Sequence, residues 1–181
     1  MRIRLLAVQS LDGFITRHGV PGSDFASAGD KAHFQRTLAE CDCSIMGAAT
    51  YRVSRDLIRG NTDRPHLRVV MTRTPGDFAG EAVPGALEFS PSAPEELADT
   101  LQQRGCRECA LLGGSQINSL FMEAGLVDEL WVTIEPLLFG SGVPLLARPA
   151  DHHLRLLATE PLGGGTMLVT YALPRRRQPC S

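Results

Sequence analysis

The chain has a single lysine, Lys31, a single tryptophan, Trp131, and a formal net charge of only -2. A balance so close to neutral excludes the strong field that carries sequence-independent binding to nucleic acid or to an anionic membrane. No apolar run approaches the ~20 residues that a helix needs to span a bilayer. Residues Met1 to Val8 combine arginines with an apolar run, but lack the length and the small-residue cleavage site of a signal peptide. They read as a first strand, and the protein as cytoplasmic. Five cysteines, an odd number, argue against a secreted disulfide framework. Cys106 and Cys109 form a CxxC with no second CxxC to complete a zinc site, and Cys41 and Cys43 have the wrong spacing for a knuckle. No metal is expected.

What is present is enough to build a core. Hydrophobic residues make up 43% of 181, sufficient for a domain without covalent staples. Patterning predicts strands over 2–9, 43–46, 67–71, 86–89, 109–112, 128–136, 153–160 and 166–173. It predicts helices over 27–40 with Ser27 as cap, over 48–57, over 94–104 with Pro94 in the first turn, and over 115–124. Strands alternating with helices early, then strands in succession, define an α/β domain with a mostly parallel sheet and an antiparallel edge. We expect one domain over residues 1–174 and a solvated basic tail, 175–181, carrying Arg175, Arg176 and Arg177. The polar loop from Arg59 to Pro65 is the expected flap.

The stretch Ala110-Leu111-Leu112-Gly113-Gly114-Ser115 carries the most chemistry. A strand that breaks at a glycine pair and feeds a helix seats an anion: the backbone comes close, and the first-turn N–H groups and helix dipole favour phosphate. The same residues also fit an ordinary strand-to-helix turn capped by Ser115.

Leu112-Gly113-Gly114, then Gly125 to Leu130, then Ile134-Glu135-Pro136-Leu137-Leu138-Phe139-Gly140 with Gly142 and Pro144-Leu145, resemble the signature of the dihydrofolate-reductase-like superfamily. More narrowly, they resemble the C-terminal reductase domain of the riboflavin-biosynthesis protein RibD. Ser10-Leu11-Asp12-Gly13, Ile45-Met46-Gly47 with Thr50-Tyr51-Arg52, and Val69 to Arg73 follow in the same order. The resemblance implies a three-layer fold with a central mixed, mostly parallel sheet flanked by helices. It implies an NADPH-dependent reductase, a homodimer with no metal, that passes hydride to a C=N or C=O carbon. It places the diphosphate at Gly113, Gly114, Ser115 and Gln116, and a second cofactor turn at Gly47, Ala48 and Thr50. Thr72 and Arg73 match positions near the adenosine phosphate, where a guanidinium selects NADPH; Arg73 also fits a solvated loop arginine. Ser10 and Asp12 match the loop flanking nicotinamide and substrate. Asp12 either orients or protonates substrate, or is a turn aspartate that bonds backbone. Lys31 and Arg52 fall near positions that hold a substrate phosphate, or are surface helix charges.

Two positions depart from the riboflavin-pathway pattern: Phe14 stands where those reductases carry Lys, and Leu112 where they carry Glu. The resemblance associates both with substrate, so the cofactor half of the pattern is kept and the substrate half is altered. Three functions follow. The first is a reductase of the riboflavin intermediate, 5-amino-6-(5-phosphoribosylamino)uracil, or of another pterin-like or carbonyl compound. The second is an NADPH-binding module without turnover. The third is a thiol or metal protein using Cys106 and Cys109. Apolar positions from Trp131 to Leu138 are the expected contact of a dimer.

Overall fold

The computed structural model describes residues 1–62 and 66–174, so the basic tail and residues 63–65 of the expected flap lie outside the described residues. Eight strands form one sheet: β1 (Arg2–Ser10), β2 (Cys43–Gly47), β3 (Leu67–Met71), β4 (Leu87–Ser90), β5 (Glu108–Leu111), β6 (Glu129–Glu135), β7 (Arg155–Gly163) and β8 (Thr166–Ala172). Their order is β4-β3-β2-β5-β1-β6-β8-β7. The first six run parallel, and β8 runs antiparallel to both of its neighbours. The helices are α1 (Ala28–Ala39), α2 (Ala48–Arg59), α3 (Pro94–Gln103) and α4 (Ser115–Glu123).

The layers follow from the period-2 alternation of the strands. On one face Ile3, Leu5, Ile45, Val69 and Leu111 pack with Leu97 and Leu101 of α3 and with Phe121 and Met122 of α4. On the other, Leu6 and Ala110 meet Phe34 and Leu38 of α1. On that same face Met46 and Val70 meet Tyr51 and Ile58 of α2. This is the expected three-layer α/β arrangement. Strands β2 and β3 are buried along their whole length, which explains their unbroken apolar runs.

Local signals set the helix starts. Ser27 caps α1 by accepting the Asp30 N–H at 3.2 Å. Pro94 opens α3, with Glu95 and Glu96 in its positive first turn. Several boundaries differ from expectation. Strand β5 closes at Leu111, leaving Leu112 beyond it, and α2 runs on to Arg59. Strand β7 spans Arg155–Gly163 rather than 153–160. It is an edge strand exposed on nearly every residue, so it has no alternating pattern to read. Pro161 is tolerated there because an edge leaves one row of backbone groups unpaired.

Gly29 holds this edge against α1: a Cβ built on it would sit 2.3 Å from the Leu162 carbonyl oxygen. Alanine ordinarily gains ~0.5–1 kcal/mol over glycine inside a helix. At Gly29 the sign reverses, and Gly29→Ala is expected to lose about 1–3 kcal/mol through the clash. A lowered urea midpoint with unchanged slope is the expected reading.

Candidate active site

All six parallel strands end on one edge of the sheet, and two helices start there from adjacent strands. Helix α2 leaves β2 on one face and α4 leaves β5 on the other, where the chain reverses its direction of travel across the sheet. Such a switch point is where open α/β sheets bind ligands. The two turns touch, the Gly47 N–H donating to the Gly113 carbonyl at 2.7 Å. Both caps are glycines, Gly47 and Gly114, with no side chain to close the first turn. Ser115 is therefore the first residue of α4 and not its cap. Its hydroxyl is buried and has no hydrogen-bond partner among the described residues.

Sterics require the glycines here. Gly113 has φ +82°, and a Cβ on it would meet Asn118 Oδ1 at 3.2 Å. A Cβ on Gly47 would overlap Ile117 Cγ1 at 2.9 Å. The Gly113–Gly114 peptide is cis. Asn118 is oriented by donating Nδ2–H to the Leu145 carbonyl at 3.0 Å. Ala48 and Thr50 are half-buried, and Gln116 is exposed at the same edge. Thr72 leaves β3 bonded to the Ser90 carbonyl at 2.9 Å, and its hydroxyl accepts the Thr74 N–H at 3.2 Å. Arg73 is exposed, without an ion pair among the described residues.

At the ends of β1 and β6, two distant loops are laced together. The fully buried Ser10 hydroxyl donates to Asp12 Oδ1 at 2.5 Å and accepts the Phe14 N–H at 3.1 Å. Asp12 also accepts the Phe139 and Gly140 N–H groups, the latter at 2.7 Å. The Ser10 hydroxyl, with these amides, holds the Asp12 carboxyl below the usual aspartate range. Phe14 bridges to Pro144, Ile15 bonds the Val143 carbonyl, and the Thr16 hydroxyl accepts the Val143 N–H at 2.9 Å. Phe139 packs edge-on against Phe25 with Arg17 over its ring at 5.2 Å.

Beneath this lid lie two buried carboxylates that sequence reading missed. Glu135 ties three elements, accepting the Ser27 N–H at 2.8 Å and the Thr166 hydroxyl at 2.7 Å. Asp30, in the first turn of α1, is only 8% exposed. Burial pushes its carboxyl up, and the nearby Glu135 adds to the shift against a hydrogen bond with Thr133. An acidic residue in a first helical turn looks like ordinary dipole compensation, so only packing distinguishes Asp30. Lys31 beside it is exposed.

The structure thus gathers Gly47, Ala48, Thr50 and Gly113 to Gln116 at one turn pair, with Thr72 and Arg73 beside it. It gathers Ser10, Asp12 and Phe14 in the lid. Leu112 packs between two apolar clusters. Arg52, on α2, stands over Phe78 at 5.2 Å, on the side of the glycine turns and not of the lid. Trp131 is covered by Arg4 and His33, whereas Leu138 is 73% exposed. The thiols lie elsewhere. Cys43 and Cys109 are paired at the other end of β2 and β5. Burial raises Cys41 to about 11 and Cys106 to about 12, so both are protonated at neutral pH. Among the described residues no group of three or more His, Cys, Asp or Glu can hold a metal, and no helix is long and apolar enough to cross a membrane.

This is the dihydrofolate-reductase-like class of fold. Dihydrofolate reductase from Enterococcus faecalis, complexed with NADP(H), superposes with a TM-score of 0.70 at 17% identity, covering 95% of this chain and 96% of that one. The chain belongs to the RibD C-terminal domain family, which it matches over residues 2–168. Riboflavin biosynthesis protein RibD of Corynebacterium ammoniagenes is 30% identical over 84% of this chain, which spans 48% of that protein's length. The deaminase/5-amino-6-(5-phosphoribosylamino)uracil reductase of Thermotoga maritima superposes with a TM-score of 0.78 at 17% identity, covering 96% of this chain and 56% of that one.

The Asp12 clamp sets a pH dependence. A depressed carboxyl gives its hold above the unfolded value, ~3.9, and loses it as pH falls through the lowered one. Protection of the Phe139 and Gly140 amides from hydrogen exchange is therefore expected to persist below that ordinary value. Asp12→Asn is expected to abolish the excess protection at neutral pH, with core amides unchanged.

Proposed function

We propose that this chain is an NADPH-dependent reductase that delivers hydride to a C=N or C=O carbon of a small heterocycle. The observation that carries this reading is the contact between two glycine-capped helix starts, with the uncommitted Ser115 hydroxyl beside them, at the switch point of a fold shared with reductases. The residues fit the cofactor: a Cβ would fill the cradle at Gly47 and Gly113, and both helix dipoles favour a diphosphate. NADPH, when bound, supplies the hydride. Gly47, Ala48, Thr50, Gly113, Gly114, Ser115 and Gln116 hold the diphosphate, and Thr72 and Arg73 hold the adenosine end.

Ser10, Phe14, Lys31 and Leu112 frame the substrate side. Asp12, ionised and saturated with donors, serves as a positioning residue that holds the lid. Asp30 is the better holder of a proton, because burial keeps its carboxyl protonated to higher pH than an ordinary aspartate. The riboflavin intermediate 5-amino-6-(5-phosphoribosylamino)uracil is the first substrate to offer. Phe14 and Leu112 in place of Lys and Glu favour a less polar pterin-like or carbonyl compound, since a charged substrate group would meet no charged partner there. The same two residues favour, as a second reading, an NADPH-binding module without turnover. Exposed Leu156 and Leu157 on the β7 edge support a homodimer.

Titration of cofactor fluorescence tests this reading. We expect NADPH to bind in preference to NADH, and Gly113→Ala, strained at φ +82°, to weaken NADPH binding by about tenfold or more. Binding of neither cofactor overturns the reading, and binding without consumption across a substrate screen establishes the second one. With a turned-over substrate, activity is expected to fall as pH rises through the raised Asp30 value. Asp30→Asn is expected to lower kcat by roughly 10²-fold or more and to remove that limb.

A further inference from the structure

The ends of β6, α1 and β8 meet at one carboxylate. Glu135, the last residue of β6, is only 3% exposed. Its Oε1 accepts the Ser27 N–H at 2.8 Å, and its Oε2 accepts the Thr166 hydroxyl at 2.7 Å. Ser27 caps α1, and its hydroxyl in turn accepts the Asp30 N–H at 3.2 Å. One side chain therefore holds the turn on which Asp30 stands. The lid lies over it: Ser10, whose hydroxyl donates to Asp12, is the β1 register partner of Glu135.

Strand geometry brings the second carboxyl close. Thr133 and Glu135 are two residues apart on β6, so they share a face of the sheet, roughly 7 Å apart along the strand. The Asp30 carboxyl is hydrogen-bonded to Thr133. Neither carboxyl has an ion pair among the described residues. The other charged groups near Asp30 lie on α1. Lys31 is exposed, and burial holds His33 below the usual histidine range, which leaves it neutral at neutral pH. Glu160 of β7 acts on His33. Two adjacent buried carboxyls without a cation do not both ionise readily, because each opposes the charge of the other where little water screens it. Hydrogen bonds accepted by both oxygens of Glu135 favour its charged form.

We infer that Glu135 is a positioning residue that keeps the transferable proton on Asp30: anchored by Ser27 and Thr166, it holds the negative charge of the pair on the β6 side and leaves the proton on the α1 side. The inference rests on the reductase reading above. When the C=N or C=O carbon takes the hydride, the nitrogen or oxygen takes the Asp30 proton. Asp30 is left as a carboxylate beside Glu135, and regains a proton from water.

The two carboxyls are followed across pH by NMR of isotope-labelled Asp and Glu, without cofactor. The samples are the wild-type chain, Glu135→Gln and Glu135→Asp, with Asp30→Asn for assignment. In the wild type, Asp30 is expected to be still protonated where the Glu135 signal is already that of a carboxylate. The reverse order overturns the pairing without any variant. Glu135→Gln keeps an acceptor for the Ser27 N–H and removes the charge, so the Asp30 midpoint is expected to fall toward the ordinary aspartate value. Glu135→Asp keeps the charge and should restore part of the rise. With a turned-over substrate, the alkaline limb of kcat in Glu135→Gln is expected to move down by the same interval, while the low-pH plateau stays within about twofold. An unmoved Asp30 midpoint, or a plateau that collapses while the limb stays in place, overturns the inference while the reductase reading stands. A wild-type chain that binds neither cofactor overturns both.

Discussion

The hydrogen bond from the Gly47 N–H to the Gly113 carbonyl is the contact on which the candidate site depends. It brings together the beginnings of two helices that lie on opposite faces of the sheet. Both turns are glycine: a Cβ on Gly47 would overlap Ile117, and one on Gly113 would press on Asn118. The same approach joins two partial positive charges that repel one another at short range. An anion would relieve that repulsion, and Ser115 has a buried hydroxyl with no hydrogen-bond partner among the described residues. The register of β2 with β3, which pairs Gly47 with Met71, brings the exit of β3 at Thr72-Arg73 beside the Gly47 turn.

Charge is divided along the sheet edge. On the side of the glycine turns the arginines Arg52 and Arg73 have no carboxylate partner among the described residues, and Glu81 is occupied by Arg55. On the lid side the carboxylates Asp12, Asp30 and Glu135 dominate, in opposite environments. Asp12 is surrounded by donors and stays ionised, whereas Asp30 is stripped of water. Two aspartates eighteen positions apart thus acquire opposite proton affinities from surroundings alone.

Much of this was legible in the sequence. The apolar runs of β2 and β3, the Ser27 cap and the Gly113-Gly114 break each leave a local signal, and the order of motifs carries the fold. Other features have no local signal. The edge strand β7 alternates with nothing, so its limits come only from its pairing with β8. Gly114 rather than Ser115 caps α4, a one-residue difference in where the helix starts that the run Gly-Gly-Ser leaves open. Asp30 and Glu135 look like common helix-end and strand-end acids until Thr133, Thr166 and Ser27 close around them. The side on which Arg52 falls is a matter of strand order, which no window of sequence contains.

The lid is fastened between Asp12 and residues 127 and 128 positions later. A contact of such separation forms only after β6 has docked beside β1, because the closure entropy of the intervening chain has to be offset first. During synthesis β2 and β5 emerge before Phe139 and Gly140, whereas Leu145, which orients Asn118 against Gly113, emerges after them. The lid and the last hold on the Gly113 turn are therefore both late contacts, and a nascent chain ending before Phe139 lacks the two together.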